Sequence, residues 1–406
     1  MTRRIAVVAA FGLLAATLAL ALFLLVQPET WRTGSASGQS SVQATCTGRV
    51  GSAIAQTAMP NADFSGLVDV APETPWLPLD PSKRLTRIGV GSCLHQNYPM
   101  PIWERVIAAK PDVFLMLGDN VYGDIKSGDP NQLGRAYIKQ AAQPEFAKAR
   151  AAFPFLATWD DHDYGLNDGG AGYRFQPQAA HFFRTFFGLA DARQENGGIY
   201  YSRTIGPVGQ RVQIIMLDTR SFRSDLQRKS ASFPHWGKYE PIADAAGTML
   251  GAAQWAWLAE QLRAPAEIRL LVSSVQVLAN GHGWERKGNL PHERARLEAL
   301  IAETGARGVV LLSGDRHSGA LFRKPLADGA QPNLVEMTAS SLNRAFGPSR
   351  DTRLAPLVSE IVWRENFGLI EIDWEGRSLT LGLRGMENAT RAEMTVPFSA
   401  LGLEPS

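Results

Sequence analysis

The chain has 406 residues, of which 45% are hydrophobic and 20% charged, a composition typical of a folded globular protein and not of a disordered one. This length is enough for one large domain or two ordinary ones. A formal net charge of +2 is too small to indicate nucleic acid or an anionic surface as a general partner.

The first apolar segment lies at the amino end, where residues 5–26 carry no charge and follow Arg3 and Arg4. About 20 apolar residues cross a bilayer as a helix, and the two arginines favour retention of the amino end inside. We therefore expect residues 1–27 to be a single transmembrane signal-anchor in the cell membrane, with the rest of the chain on the extracytoplasmic side. The alternative is a cleaved signal peptide and a secreted protein, although the apolar core of such peptides is normally about 7–15 residues.

Residues 28–84 are rich in Pro, Ser, Gly and Thr, which is typical of a spacer, and we predict a tether here. Cys46 lies in this segment. The other cysteine, Cys93, follows a predicted strand, so a disulfide between the two in an oxidising compartment stays open as an alternative.

From Leu85 onward, apolar runs typical of strands alternate with segments of helical spacing. We predict strands at 85–91, 113–117, 155–159, 198–205, 212–217, 268–274, 309–312, 333–338, 367–373 and 378–384. We predict helices at 101–109, at 132–151 with a break near Pro144, around the phenylalanines at 182–187, at 252–262 and at 293–303. This alternation, with strands dominating the end, predicts an α/β fold in which two sheets pack face to face with helices outside, formed by one catalytic domain, 85–406.

Four of the predicted strands end at side chains that bind metals. These side chains are Cys93, then Asp119 with Tyr122, then Asp161, His162 and Asp163, and finally Asp315 with His317. Strand ends on one edge of a sheet converge in space, and a buried cluster of acids repels itself unless cations neutralise it. The sequence therefore predicts a metal centre at this edge.

The ligand types indicate which cations would bind. A thiolate and a phenolate suit a ferric or similar transition ion, whereas carboxylate and amide oxygens suit Ca²⁺, Mg²⁺ or Mn²⁺. Asp119 has two carboxylate oxygens and could bridge both kinds of site. Paired cations of this sort activate water and stabilise the entering and leaving oxygens of a phosphoryl transfer.

The motif series resembles that of the alkaline phosphatase D (PhoD-like) family of metallophosphatases. The matching segments, in order, are Gly91-Ser92-Cys93, Gly118-Asp119-Asn120-Val121-Tyr122, Trp159-Asp160-Asp161-His162-Asp163, Leu217-Asp218-Thr219-Arg220 and Gly314-Asp315-Arg316-His317. The resemblance covers the chain from Leu85 to the carboxyl end. It implies the four-layer αββα sandwich that metallophosphatases share with purple acid phosphatases and calcineurin.

On one metal ion, the resemblance implies Fe³⁺ held by Cys93, Tyr122 and His317. Asp119 would be the carboxylate that bridges to the second ion. The family's tyrosine is the ligand that colours the iron in purple acid phosphatases, so we expect the loaded protein to be coloured.

On the second ion, the resemblance implies Ca²⁺, with Mn²⁺ or Mg²⁺ as alternatives, held by Asp161 and Asp315. Both residues stand where commoner metallophosphatases have an amide or imidazole ligand. His162 matches the histidine that faces the phosphate and protonates the leaving group. Asp163 is predicted to hold His162 in the required tautomer.

Several further residues have two interpretations. Asp218 and Arg220 either orient a metal ligand, or clamp phosphate, or form an ordinary surface ion pair. Asn120 and Asn167 either contact metal or phosphate or satisfy loop backbone. Gln276 stands near the position of a missing histidine ligand and either supplies an oxygen or belongs to a core strand. The remaining histidines have no metal-ligand spacing and are expected to be structural or to lie on the pocket rim: His95, His181, His235, His282 and His292.

These residues predict an exported, membrane-anchored, metal-dependent phosphoesterase that hydrolyses phosphate monoesters. A hydroxide on the metal would attack phosphorus while His162 protonates the leaving group. The alternative within enzymes is a phosphodiesterase acting on phospholipid headgroups, wall polymers or nucleotides. A non-catalytic, metal-binding protein tethered to the membrane is a remote alternative. No nucleic-acid-binding module is recognised in the sequence, and the oligomeric state stays open.

Overall fold

A computed structural model describes residues 62–190, 196–242, 245, 247–348, 354–387 and 389–403. The predicted transmembrane segment, 1–27, and Cys46 lie outside these residues. Within the described ranges, no helix has both the length and the apolar character that crossing a membrane requires.

The first sheet is mixed and has the strand order β12-β11-β10-β1-β2-β3. Its amino-terminal strands, β1 to β3, run parallel, and the other three strands continue the sheet in antiparallel pairing from β1. Its strands are β1 (Arg87–Gly91), β2 (Val113–Leu117), β3 (Phe155–Thr158), β10 (Phe367–Asp373), β11 (Ser378–Arg384) and β12 (Thr390–Pro397).

The second sheet has the order β4-β5-β6-β7-β9-β8, with a parallel centre and an antiparallel strand at each edge. Its strands are β4 (Tyr201–Ile205), β5 (Val212–Met216), β6 (Ile268–Val272), β7 (Val309–Ser313), β8 (Gly319–Pro325) and β9 (Asn333–Ala339).

The helices of the described chain lie between these strands in sequence. They are α1 (Ile102–Ala109), α2 (Asn131–Ala141), α3 (Pro144–Arg150), α4 (Asp161–Tyr164), α5 (Gln176–Phe187), α6 (Gly251–Arg263) and α7 (Pro291–Thr304). The predicted break in 132–151 is confirmed, because α3 begins at Pro144, whose ring would interrupt a continuous helix. Strands β8 and β12 and the single turn α4 were not predicted.

The two sheets pack face to face, and the helices cover their outer faces. Between the sheets, the backbone of Gly368 in β10 lies close to the side chain of Met337 in β9. A Cβ atom at position 368 would collide with that side chain. On the outer side of the first sheet, Trp103 of α1 packs against Phe114 of β2 with ring centroids 5.0 Å apart. On the outer side of the second sheet, Trp255 of α6 lies in a separate apolar cluster. The predicted α/β fold with two sheets is confirmed.

The packed domain begins earlier than the predicted boundary at Leu85. Residues 62–84, which are the described part of the predicted tether, pack against the rest of the domain. Val70 is buried, and the ring of Trp76 stacks on Phe187 at 5.2 Å. The Trp76 indole also donates a hydrogen bond to the Phe186 carbonyl oxygen, at 2.5 Å. The folded domain therefore includes residues that precede Leu85, the boundary predicted from composition.

The parallel strands of both sheets carry their carboxyl ends to one edge of the sandwich. A bridge between Ser92, after β1, and Ser340, after β9, joins the two sheets there. The amide of Gly314, after β7, also donates to the carbonyl of Ser274, after β6, at 2.9 Å. This edge is where the metal-binding side chains of the sequence were expected.

Candidate metal centre

The site is built from backbone in an unusual conformation. Cys93, Asp119, Asp315 and His317 all lie in the left-handed region, with φ of 57°, 51°, 65° and 51°. Non-glycine residues seldom adopt this region, and such conformations concentrate at functional sites. Gly118 has φ of 103°, and a Cβ there would lie 2.6 Å from Cβ of Asp160, so only glycine allows the turn that presents Asp119.

The first ligand group joins a thiol, a carboxylate, a phenol and an imidazole. The Cys93 thiol donates to Oδ2 of Asp119 at 3.4 Å, and the Tyr122 hydroxyl donates to the same oxygen at 3.2 Å. The Tyr122 oxygen lies 3.4 Å from Nε2 of His317. These four predicted iron ligands therefore meet at one point, and Cys93, Asp119 and His317 form a group able to hold one ion.

Asp119 also belongs to a second group, with Asp161 and His162. The amide of His162 donates to Oδ1 of Asp119 at 3.4 Å, so the two oxygens of this carboxylate face different groups. This is the arrangement expected of a bridging ligand. A third group extends from Asp161 to Asp168 and Glu285, neither of which was identified from the sequence.

The electrostatics of the cluster favour cations. Burial raises the pKa of Asp119 well above its ordinary value, and the neighbouring Cys93 and Asp161 raise it further. Burial likewise raises the pKa of the Cys93 thiol, to about 11, and lowers that of His317, to about 3. A positive ion stabilises the ionised forms of such acids and binds the neutral imidazole, so the donor set fits a thiolate-, phenolate- and imidazole-binding ion beside an oxygen-binding one.

His162 pairs with Asp124, so the prediction that Asp163 holds His162 was wrong. Nδ1 of His162 lies 2.9 Å from Oδ2 of Asp124, whereas Asp163 accepts hydrogen bonds from the amides of Asp160, at 2.5 Å, and Asn120, at 3.1 Å. Asp163 therefore closes the turn that begins α4. Asp124 follows Tyr122 by two residues, and this acid in a motif loop was a signal available in the sequence.

The protonation of His162 follows from these neighbours. Burial lowers its pKa, but Asp161, Asp119 and Asp124 together raise it more, to about 10. Burial also raises the pKa of Asp161, yet His162 and Arg220 lower it more, so this carboxylate stays ionised. Without a bound cation, these neighbours favour a protonated imidazole beside an ionised acid.

Arg220 does not face the open site, so it is neither a phosphate clamp nor part of a surface ion pair. Its contacts fit the other predicted alternative, that it orients a metal ligand. Its side chain is fully buried and donates to Oδ1 of Asp160, at 2.6 Å from Nε, and to both oxygens of Glu285, at 2.9 and 3.0 Å. Because Asp160 and Glu285 flank the metal ligands, Arg220 supports the site from behind. Asp218 caps this turn, accepting from the amides of Arg220 and Ser221, at 3.0 Å each.

The remaining candidates separate into two groups. Asp315, partly exposed, and Asn167, exposed, both line the central cavity. Asn120 is instead buried and donates to the Thr158 carbonyl oxygen at 2.9 Å, which is the structural alternative for this residue. Gln276 is buried between Thr338, at 2.9 Å, and His282, at 3.1 Å, so it too takes its structural alternative.

A cavity of about 540 Å³ opens over these groups. Asp119, Asp161, His162, Asp315 and His317 contribute to its lining. The rest of its wall includes residues that no motif indicated: Asp168, Trp236, Lys238, Trp284, Glu285, Arg316, Arg344, Phe346, Gly347, Pro348 and Trp363. Four of the predicted metal ligands, Asp119, Asp161, Asp315 and His317, therefore face a space much larger than a phosphate group.

The sequence profile of the PhoD-like phosphatases matches residues 88–381. The chain belongs to the PhoD-like phosphatase family. A solved structure of PhoD superposes on the chain with a TM-score of 0.62 at 16% identity, covering 79% of this chain and 70% of that one. The purple acid phosphatase PPD1 from seeds of yellow lupin (Lupinus luteus) is more distant, with a TM-score of 0.49 at 10% identity, covering 80% of this chain and 56% of that one. No curated protein matches the sequence.

Family membership confirms the resemblance that the motifs indicated. As a PhoD-like phosphatase the chain is a phosphoric ester hydrolase. The groups of metal-binding side chains around Asp119 fit a metal-dependent phosphoesterase. The non-catalytic alternative is therefore set aside.

Proposed function

We propose that the chain is a membrane-anchored phosphoesterase of the extracytoplasmic side that uses Fe³⁺ and Ca²⁺, with Mn²⁺ or Mg²⁺ as alternatives at the oxygen-ligand site. The observation that carries the catalytic part is the convergence of two unlike ligand groups on the two oxygens of Asp119. The anchor and the location rest on the uncharged segment 5–26 after Arg3 and Arg4.

Cys93, Tyr122 and His317 would hold the iron, with Asp119 between the ions and Asp161 and Asp315 on the oxygen-binding side. When bound, the ions supply Lewis acidity, which polarises the phosphoryl group and makes a water molecule acidic enough to attack. The mixture of a thiol and a phenol on one side with acids on the other is the reason for assigning different metals.

His162 is the proposed general acid. It lines the cavity, and Asp124 holds Nδ1, so Nε2 is the nitrogen left to give a proton to the leaving oxygen. Of the acids that raise its pKa, Asp124 is not a proposed metal ligand and would still favour the protonated imidazole once the ions are bound. Its ring also packs on Tyr122, with centroids 4.2 Å apart, which restricts its orientation.

Monoesters and diesters are both candidate substrates, and the cavity favours diesters. The phosphate of a monoester would occupy the floor formed by the acids, leaving most of about 540 Å³ for other groups. Lys238, Arg316 and Arg344 stand on the wall, where they can meet substituents beyond the scissile phosphate. A second ester group would use this space, whereas a small monoester would not.

The test compares 4-nitrophenyl phosphate with bis(4-nitrophenyl) phosphate, using purified protein loaded with iron and calcium. We expect turnover of both with a higher kcat/KM for the diester, and a preference for the monoester would reverse the assignment. If neither ester is hydrolysed, the proposed activity is refuted.

Two further measurements test the metals and the location. Elemental analysis should find iron and calcium, and the visible absorption of the iron-loaded protein should shift and lose its tyrosinate-to-iron band in Tyr122→Phe. Cell fractionation should find the full-length chain in the membrane, and protease added outside the cytoplasm should reach it. A protein recovered intact from the soluble fraction without its first residues would instead support signal cleavage.

A further inference from the structure

The apolar side chains that line the cavity are aromatic except for one proline. They are Trp236, Trp284, Phe346, Trp363 and Pro348, and among the described residues of the lining there is no Leu, Ile, Val or Met. Trp236 and Phe346 are 50% and 66% exposed. Large aromatic rings left open to water beside a catalytic centre are typical of a binding surface for a flat ligand.

Trp236, Trp284, Phe346 and Trp363 form an aromatic wall with two sides, and each side is held by contacts of its own. The carbonyl of Trp236 accepts from the amide of Gly283 at 2.6 Å, and the amide of Lys238 donates back to the Gly283 carbonyl at 2.7 Å. Gly237 has φ of 134°, and any Cβ there would collide with the Gly283 backbone, so this pairing needs glycine. The two loops that carry Trp236 and Trp284 therefore form one unit.

Phe346 belongs to the other side. Its ring stacks on His317 with centroids 3.8 Å apart and planes 21° from parallel. The guanidinium carbon of Arg344 lies 5.5 Å from the Phe346 centroid and 4.6 Å from that of Tyr122. The Phe346 ring, which is 66% exposed, thus stands directly beside a proposed metal ligand.

Cations accompany the rings. Lys238 and Arg316 each lie 5.9 Å from the Trp284 ring centroid, and Lys238 is 2.7 Å from Oδ2 of Asp168. An acyl chain in this space would remove water from these charges without replacing its hydrogen bonds. A heterocyclic base has a π face for the rings and polar edges for the charged groups, so it suits the wall better.

We propose that the aromatic wall, formed by Trp236, Trp284, Phe346 and Trp363, binds a nucleobase, so that the preferred substrates are phosphodiesters with a nucleoside on one ester oxygen. This inference rests on the proposed phosphoesterase function and narrows its substrate class. In the reaction, water forms the new bond to phosphorus, the bond to the other ester oxygen breaks, and that oxygen leaves with a proton or as its anion. The products are a nucleoside monophosphate and an alcohol or phenol.

The experiment uses two diesters with the same leaving group, the 4-nitrophenyl ester of thymidine 5′-phosphate and ethyl 4-nitrophenyl phosphate. For the metal-loaded, full-length protein we expect kcat/KM to be about 5- to 150-fold higher for the thymidine ester, which is the contribution of stacking one base. Equal values, or a preference for the ethyl ester, would overturn the nucleoside assignment and leave the phosphoesterase intact. No hydrolysis of either diester would count against the proposed function itself.

Variants at Trp236 test whether the preference for the thymidine ester requires an aromatic ring at this position. The ratio of the two kcat/KM values should fall at least about 5-fold, towards 1, in Trp236→Leu and be largely kept in Trp236→Phe. Phe64→Ala, at an aromatic residue 45% exposed outside the cavity, should keep the ratio of the natural chain.

If Trp236→Leu and Trp236→Phe both keep the ratio of the natural chain, stacking at this position is refuted. Faster hydrolysis of dihexanoylphosphatidylcholine than of the thymidine ester would overturn the proposal in favour of a lipid substrate.

Discussion

Replacement of Arg220 by Met tests whether this residue supports the site or clamps the substrate. Its guanidinium ties together two acids, Asp160 and Glu285, whose side chains are 0% and 4% exposed. In Arg220→Met, Asp160 keeps the 2.6 Å bond from Ser274, and Glu285 keeps an ion pair with Arg223 at 3.1 Å. Removal of one partner from a buried ion pair costs about 3–5 kcal/mol, because the remaining charge is buried without compensation.

The assay is urea unfolding followed by tryptophan fluorescence at a fixed metal concentration. We expect the free energy of unfolding to fall by about 3–5 kcal/mol in Arg220→Met. The matched control is Arg87→Met, which breaks an ion pair with Glu371 at 2.9 Å whose side chains are 45% and 34% exposed. That loss should be at most about 1 kcal/mol, since solvent screens exposed pairs.

The opposite pattern would refute the structural role. If Arg220→Met unfolded within about 1 kcal/mol of the natural chain while its KM rose sharply, the side chain would have to reach the substrate, as a phosphate clamp does. The double change Asp160→Asn with Glu285→Gln in the Arg220→Met background should recover part of the lost stability, because it removes the stranded charges.

Four further predictions concern the metal ligands, the proton donor and a buried lysine. His162→Ala should lower kcat about 10²- to 10⁴-fold on an alkyl ester, with iron and calcium content unchanged by elemental analysis. Asp124→Asn should lower kcat about 10- to 100-fold and alter the pH–rate profile; an unchanged profile would contradict its pairing with His162. Asp119→Ala should lose both metals, and retention of both would exclude a bridge. Burial lowers the pKa of Lys287 from 10.5 to about 8, so the unfolded chain binds more protons between those values. Unfolding experiments should therefore show stability rising from pH 8 towards 10.5, with a smaller rise in Lys287→Met.

Apolar patterning predicted most of the strands closely because a buried strand in a two-sheet protein must be apolar on both faces. The predicted strand 113–117 has the observed bounds of β2, and all five of its residues are buried. The strand β12 escaped prediction because most of its residues are exposed or partly exposed, so its sequence does not carry a buried-strand pattern.

The position of the metal ligands was predictable for a local reason. Each predicted ligand lies within a few residues of the carboxyl end of a parallel strand, and such ends meet at one edge. Cys93 follows β1 and Asp119 follows β2, and their thiol and carboxylate lie 3.4 Å apart. The family resemblance added a role to each ligand but did not alter where it would lie.

The sequence by itself therefore determined the class of fold, the edge that carries the chemistry and the kinds of metal ligand gathered there. Only the tertiary structure decided that Asp124 holds His162, that Arg220 is buried behind the ligands, and that Trp236 and Phe346 share one cavity. Strand ends converge because backbone hydrogen bonds fix parallel neighbours side by side. Loop side chains meet through packing between segments far apart in the chain, and no local pattern of residues records which of those segments will touch.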